Sequence, residues 1–154
     1  MASIARRTLI SLNLLASRSL STKAQASPAV QEDTSRDVLL RYLAGKDNGI
    51  AVLGLNRVEA RNAFSKRLIG QLSEALDRIS QDKNIRVLVL RSLVPRVFCA
   101  GADLRERIKM EPQEVGNFVT SLRNLMSDIE SISAPVISAI DGVRIYLLSC
   151  RLLL

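Results

Sequence analysis

The segment formed by residues 98–104 contains the groups of this chain best suited to chemistry, and most of them are backbone groups. It reads Phe-Cys-Ala-Gly-Ala-Asp-Leu and lies between an apolar run and the start of a predicted helix. N–H groups at a helix start are unpaired and carry partial positive charge. Gly101 lets the backbone bend closely, and Ala102 keeps side-chain bulk away from an approaching group. Such a loop can hold an oxyanion, where one donor contributes ~3 kcal/mol in a transition state. The alternative is a small-residue turn with a purely structural role.

The composition limits which other chemistry is open to the chain. Its 154 residues include no His, which excludes Ser-His-Asp catalysis and His-based zinc sites, and we predict no metal site. Catalysis must therefore use carboxylates, Lys, Cys or backbone dipoles. Cys99 and Cys150 are predicted to be unpaired thiols in a reducing compartment. With 47% apolar and 24% charged residues, the sequence is typical of one soluble globular domain.

The net charge of +7 is concentrated at the two ends of the chain. Residues 1–31 contain four basic residues and no acid, and residues 143–154 contain two basic residues and no acid. The 16 basic and 15 acidic residues of the body, 32–142, nearly balance. The charge of the whole chain is therefore a poor indication of a polyanionic partner.

Both ends are predicted to differ from the domain between them. Residues 1–31, rich in Ser and Arg and without acids, are typical of a mitochondrial transit peptide and linker, which predicts the mitochondrial matrix, with cleavage after Leu20. A secretory signal with residues 8–16 as its apolar run is the alternative. Residues 143–154 form an apolar tail that is too short for a membrane span.

Apolar patterns in the body of the chain indicate strands and helices in alternation. Apolar residues recur at intervals of three and four between 65 and 80, which predicts an amphipathic helix with Ser65 as its N-cap. The run 86–91 favours a strand buried on both faces, and 92–102 is expected to be a loop. The other predicted elements are a β-hairpin of 38–44 and 50–55, helices at 103–108 and 115–132, and a strand at 136–140. This order indicates an α/β domain with a parallel core.

Several motifs follow one another at characteristic spacings. They are Gly49-Ile50-Ala51-Val52-Leu53 with Asn56-Arg57, Asn62-Ala63, the stretch 91–104, Glu114-Val115-Gly116 and Ala139-Ile140-Asp141-Gly142. Together they resemble the enoyl-CoA hydratase/isomerase (crotonase) family over residues 47–142, about two thirds of the chain. The resemblance implies that 32–142 is a partial crotonase-like domain. It would be the N-terminal half of a crotonase-like spiral fold, a parallel β-sheet with flanking helices, and incomplete.

The resemblance also implies roles for individual residues. The Ala102 N–H would be the first of two donors to a thioester oxygen, and the backbone at Ala63 would contact the adenine of coenzyme A. Arg105 stands where the family commonly places a Lys that contacts CoA phosphates, a role that Arg can fill. Because coenzyme A is part of an acyl-CoA thioester substrate, no separate cofactor is expected. The remaining residues expected around coenzyme A are Ala100, Gly101, Asp103 and Leu104.

The sequence departs from the family after Gly142. In the family a Gly-Gly-Gly turn follows, which supplies the second donor and precedes two catalytic Glu residues and the helices that build trimers or hexamers. Here Arg144-Ile145-Tyr146 occupies that place. We therefore expect a truncated, inactive chain, and the alternative is an active hydratase of fatty-acid or leucine breakdown. Val143-Arg144 can be encoded GTA-AGA, a splice-donor sequence, so a retained intron is one hypothesis for the tail.

The acidic residues near the loop are expected to be structural. Asp103 and Glu106 fall in a first helical turn, where acids complement the helix dipole, and Asp141 precedes a turn Gly. A second departure is Glu59, which stands where some family members place a CoA-binding Lys, with Val58 replacing the usual Pro.

A third class of function is RNA binding, because one branch of the family is associated with it through a Lys-rich helix. The corresponding helix here begins Lys66-Arg67 but continues with Gly70, Glu74 and Ser80. Phosphate affinity depends on the number of cations, so RNA is not expected as a partner. A non-catalytic interaction fragment also remains open.

Overall fold

The computed structural model describes residues 36–144 of the chain. The predicted transit peptide, most of the apolar tail and Cys150 lie outside these residues. The strands are β1 (Val38–Tyr42), β2 (Ile50–Leu55), β3 (Val87–Ser92), β4 (Val97–Cys99), β5 (Val136–Ala139) and β6 (Val143–Arg144). The helices are α1 (Lys66–Gln81), α2 (Leu104–Arg107) and α3 (Pro112–Ser131), with short 3-10 turns at Gly45–Asp47 and Val58–Ala60.

The main sheet has the strand order β1-β2-β3-β5. Strands β1 and β2 pair antiparallel, with Leu40 opposite Leu53, which confirms the predicted hairpin. Strand β2 pairs parallel with β3, and β3 pairs parallel with β5. Parallel neighbours need a crossover connection, and α1 and α3 lie in the two connections. The predicted α/β class with a parallel core is confirmed.

A second sheet corrects the expectation that 92–102 is only a loop. Strand β4 lies within that segment and pairs parallel with β6, with Val97 opposite Val143. Three residues without alternation give too little pattern to predict a strand, and its partner lies more than 40 residues further along the chain. The pairing brings the chain after Gly142 alongside the strand that leads into residues 98–104.

Helices α1 and α3 bury their apolar positions against the sheet. In α1 the buried residues repeat at three and four, and the Ser65 side chain accepts a hydrogen bond from the Leu68 N–H, as predicted. Helix α3 begins with a capping box between Glu111 and Glu114. The core joins both helices to Leu53, Leu88 and Leu90.

The prediction that the third strand is buried on both faces is wrong for the described residues. In β3 the side chains of Leu88 and Leu90 are buried, whereas those of Val87 and Val89 are half-buried. Because side chains alternate along a strand, the second pair lies on the sheet face opposite α1 and α3. Within residues 36–144 no helix is long and apolar enough to cross a membrane.

Candidate active site

The backbone at Ala102 is fixed by a parallel bridge to Phe64. The Phe64 N–H donates to the Gly101 carbonyl at 2.7 Å, and the Asp103 N–H donates to the Phe64 carbonyl at 2.8 Å. In such a bridge successive residues point their N–H groups in opposite directions. The N–H of Ala102 therefore points away from Phe64, and within residues 36–144 it has no hydrogen-bond partner. The loop presents one unpaired backbone donor at the predicted position.

The origin of this donor differs from the sequence prediction. Helix α2 is a single turn, and Ala102 precedes its N-cap, Asp103. The Asp103 carboxylate already accepts from the N–H groups of Arg105 at 3.0 Å and Glu106 at 3.2 Å. The helix start is thus occupied by its own cap, and the bridge to Phe64, rather than the helix dipole, directs the Ala102 N–H outward.

Two buried side chains hold the loop from beneath. Asn62 is completely buried, and its amide nitrogen donates to Ser92 Oγ and to the Phe98 carbonyl. The Cys99 thiol donates to the Asn62 carbonyl at 3.2 Å and accepts from the Gly101 N–H at 3.3 Å. Burial raises the pKa of Cys99 to about 11 against a smaller lowering by the Gly101 N–H. Cys99 is an unpaired thiol, as predicted, and at neutral pH it is protonated.

An ion pair links the segment 62–64 to the start of α2. Arg57 Nη2 lies 2.7 Å from Asp103 Oδ2, and both side chains are largely buried. Burial would raise the pKa of Asp103, but hydrogen bonds from Arg57 and from the N–H groups of Glu106 and Arg105, with the charge of Arg57, hold that pKa below its ordinary value. The Asp103 carboxylate is therefore ionised, and its charge is balanced by Arg57.

Two of the three acidic residues that the sequence predicts to be structural, Asp103 and Glu106, have hydrogen-bond partners. Asp103 caps α2, and Glu106 accepts from the Lys66 N–H, the first residue of α1, at 3.2 Å. Asp141 is exposed and precedes Gly142, whose φ is 81°. The structural interpretation of Asp103 and Glu106 is confirmed, although Glu106 serves α1 rather than its own helix.

The structure brings the residues expected around coenzyme A to one place. The bridge to Phe64 sets Ala63 beside the strip that contains Ala100 and Gly101, and these residues are buried or half-buried. Leu104 is 66% exposed, and Arg105 is also exposed at the start of α2. The arrangement combines a recessed backbone surface with an exposed apolar residue and a cation.

The predicted cations of the RNA alternative are engaged in ion pairs. Lys66 Nζ lies 2.9 Å from Glu114, and Arg67 binds both oxygens of Asp37, at 2.8 and 2.6 Å.

A separate groove of about 570 Å³ runs between α1 and α3, and its lining residues include Ser73, Asn117 and Asp128 but none of residues 98–105.

Arg57 is a residue of the site that the sequence alone does not reveal. It is part of the Asn56-Arg57 motif, but an Arg in a loop between a strand and a helix is most simply a surface residue. The sequence gives no sign that its guanidinium contacts groups 6 and 46 residues further along the chain.

Fold and site together define an α/β protein with an unpaired backbone N–H at the end of a loop. The sequence model of the enoyl-CoA hydratase/isomerase family matches residues 45–145. The chain belongs to this family. Its fold is the N-terminal half of the crotonase-like fold, as the resemblance implied.

Individual relatives support the assignment. The mitochondrial methylglutaconyl-CoA hydratase of Mus musculus is 46% identical over 112 residues, which cover 73% of this chain and 36% of the relative. The mitochondrial enoyl-CoA hydratase domain-containing protein 2 of Bos taurus is 49% identical over 107 residues, covering 70% and 36%. A crystal structure of an enoyl-CoA hydratase from Bacillus anthracis matches with a TM-score of 0.69 and 31% identity, over 76% of this chain and 44% of that one. This chain spans about a third of the length of the two curated relatives.

Proposed function

We propose that this chain provides the thioester-binding part of an enoyl-CoA hydratase site. The observation that supports the proposal is the unpaired Ala102 N–H, directed outward by the Phe64 bridge beside a strip of small residues. When water adds across an α,β double bond, the thioester oxygen becomes enolate-like. A fixed donor at that oxygen favours the charged form over the neutral carbonyl.

The coenzyme A part of the substrate would lie along the same strip. In this proposal the backbone at Ala63 contacts the adenine, and Arg105 pairs with a phosphate, since its guanidinium is exposed at the start of α2. The other proposed contacts are made by Ala100, Gly101, Asp103 and Leu104.

We propose further that the 154-residue chain binds the thioester without hydrating it. Hydration needs one group to take a proton and another to deliver it near the enoyl carbon. Asp103 and Glu106 are committed to helix capping, and Arg144-Ile145-Tyr146 stands where the family has its glycine turn. The two carboxylates nearest to Ala102 along the described chain, Asp103 and Glu106, therefore already have hydrogen-bond partners.

The cellular setting is proposed from the relatives and the first 31 residues. The two curated relatives are named mitochondrial, and residues 1–31 have the composition of a transit peptide. We therefore place the chain in the mitochondrial matrix, in fatty-acid or leucine breakdown. Whether it joins trimers or hexamers of the family kind is tested by sedimentation.

The test of the donor compares two ligands that differ only at the carbonyl. The purified chain is titrated with a short acyl-CoA thioester and with the matching S-alkyl thioether of coenzyme A, which has no carbonyl oxygen. We expect the thioester to bind about tenfold more tightly, the effect of one well-placed hydrogen bond. Equal affinities would refute the role of Ala102.

The test of inactivity is a hydration assay with crotonyl-CoA. No turnover is expected from the purified chain, with a full-length family member assayed in parallel as the positive control. Turnover close to that of the control would overturn the proposed inactivity while leaving thioester binding intact.

A further inference from the structure

Arg57 joins the two backbone segments on which the proposed thioester site depends. Its Nη1 donates to the Ala63 carbonyl at 2.7 Å, and its Nη2 donates to Asp103 Oδ2 at 2.7 Å. Its side chain is 14% exposed. One planar guanidinium thus holds the proposed adenine-contact segment and the N-cap next to Ala102 at a fixed separation.

The contact to Asp103 also fixes the orientation of its carboxylate. Oδ2 is bound by Arg57, while Oδ1 accepts from the N–H groups of Arg105 and Glu106. Movement of the carboxylate would therefore move the first turn of α2 and the peptide at Ala102, because Asp103 is the next residue. The position of the donor depends on both ends of this connection.

The positive charge of Arg57 also favours the proposed oxyanion at Ala102. Asp103 is one residue from Ala102, so its ionised carboxylate would disfavour negative charge on an oxygen bound by the Ala102 N–H. Arg57 balances Asp103, and it is available to do so because Asp37, 3.9 Å from Arg57 Nε, is bound on both oxygens by Arg67. The two arginines thus divide two buried carboxylates between them.

From this geometry we infer that Arg57 is a positioning residue for the thioester site, which aligns the Ala102 N–H and neutralises Asp103. The inference rests on the proposed function. If Arg57 only stabilised the fold, its replacement would weaken the binding of thioesters and thioethers alike. A positioning role predicts instead that affinity is lost selectively for ligands that carry a thioester oxygen.

The experiment measures the thioester preference, the ratio of thioether to thioester dissociation constants. The probes are acetoacetyl-CoA, whose enolate has its own near-ultraviolet absorption band, and the corresponding S-alkyl-CoA thioether. The variants are Arg57→Gln and Arg57→Lys. The matched control is Arg86→Gln, which also removes an arginine that donates to a backbone carbonyl, that of Asn48 at 2.6 Å, but at the opposite end of β2 from Arg57.

We expect Arg57→Gln to lower the thioester preference about tenfold and to weaken the enolate band, with Arg57→Lys intermediate because one ammonium cannot reproduce the planar fork. Arg86→Gln should keep both values. In the double variant Arg57→Gln/Asp103→Asn, removal of the unbalanced charge should restore part of the enolate band.

Three results separate the inference from the proposed function. If the unaltered chain shows no thioester preference, both fail. If it does and Arg57→Gln retains the preference, or Arg86→Gln loses it equally, the positioning role is overturned and the proposed function stands. If circular dichroism shows that Arg57→Gln is unfolded, Arg57→Lys is used as the test. An unchanged thioester preference and unchanged Cys99 thiol reactivity in Arg57→Lys would overturn the inference.

Discussion

The Asn62 amide donates to the carbonyl oxygen of Phe98 at 3.1 Å, across 36 residues of sequence. Asn62 itself has a φ of 56° and is completely buried. The hydrogen bond connects β4, which leads into the loop that carries Ala102, to the turn that precedes α1. The side chain and the left-handed backbone of this one residue therefore set the distance between the two segments of the proposed site.

Replacement of Asn62 by Ala should lower the free energy of unfolding by about 2–4 kcal/mol. The Phe98 carbonyl would be left without its donor while buried, and Ala tolerates the left-handed backbone poorly. Asn62→Gly loses the same hydrogen bonds without the backbone strain, so it should be about 1 kcal/mol more stable than the Ala variant. Urea denaturation measures both, and equal stabilities would show that the backbone conformation contributes nothing.

Gly142 should not tolerate a side chain. Its φ is 81°, and an added Cβ would overlap the carbonyl oxygen of Arg96, a backbone atom. Gly142→Ala should displace β6 from β4 and speed hydrogen exchange of the Val143 amide, which donates to Arg96 at 2.9 Å. An unchanged exchange rate at Val143 would contradict this.

The matched control for Gly142 is Gly70, within α1. A Cβ added there meets nothing within 4 Å, and its φ lies in the ordinary range for a side chain. Gly70→Ala should therefore raise the free energy of unfolding by about 0.5–1 kcal/mol through helix propensity. Replacement of glycine by Ala is thus expected to destabilise the fold at Gly142 and to stabilise it at Gly70.

Elements with strong periodicity were predictable from the sequence. The apolar spacing from Leu68 to Ile79 defined α1, and Ser65 was recognisable as its cap because Ser accepts from a backbone N–H three residues on. The parallel core followed from the alternation of strands and helices.

Non-local pairings escaped prediction for a physical reason. Strand β4 exists because β6 pairs with it, and Arg57 is a positioning candidate because Ala63 and Asp103 converge on it. Neither partner can be read from local spacing. The helix dipole was predicted to direct the unpaired N–H groups of this loop, whereas at Ala102 the bridge to Phe64 directs the N–H.

Asp103 should make the fold sensitive to acid. Its pKa is lowered in the folded state, so its stabilising contribution is present above the pKa of the unfolded chain and is lost as pH falls through the folded-state pKa. Asp103→Asn keeps a capping oxygen but loses the ion pair with Arg57. Urea denaturation between pH 2 and pH 7, about the range over which carboxylates titrate, should show the variant less stable at neutral pH and the two curves converging in acid. If the free energies of unfolding of the two proteins differed by the same amount at every pH, the lowered pKa of Asp103 in the folded state would be contradicted.

Cys99 should make the fold sensitive to alkali. Its pKa is raised to about 11, so the stability linked to its protonated form is complete below the unfolded-state pKa, near 8.5–9, and is lost as pH rises through the folded-state value. The comparison uses Cys99→Ala, with Cys150→Ser in both proteins so that only one thiol differs. From about pH 8 to pH 11, the free energy of unfolding of the Cys99 protein should fall by about 2–3 kcal/mol relative to the Ala variant.

Thiol reactivity provides an independent measure of the same burial. At pH 8 a thiol with a pKa of about 11 is ionised in only about one molecule in a thousand, and Cys99 is buried beneath Gly101. Maleimide should therefore modify Cys99 slowly in the folded protein and rapidly in urea. Rapid modification of the folded chain would show that the loop opens readily, and an Ala102 N–H carried on such a loop would not be held in place for a thioester oxygen.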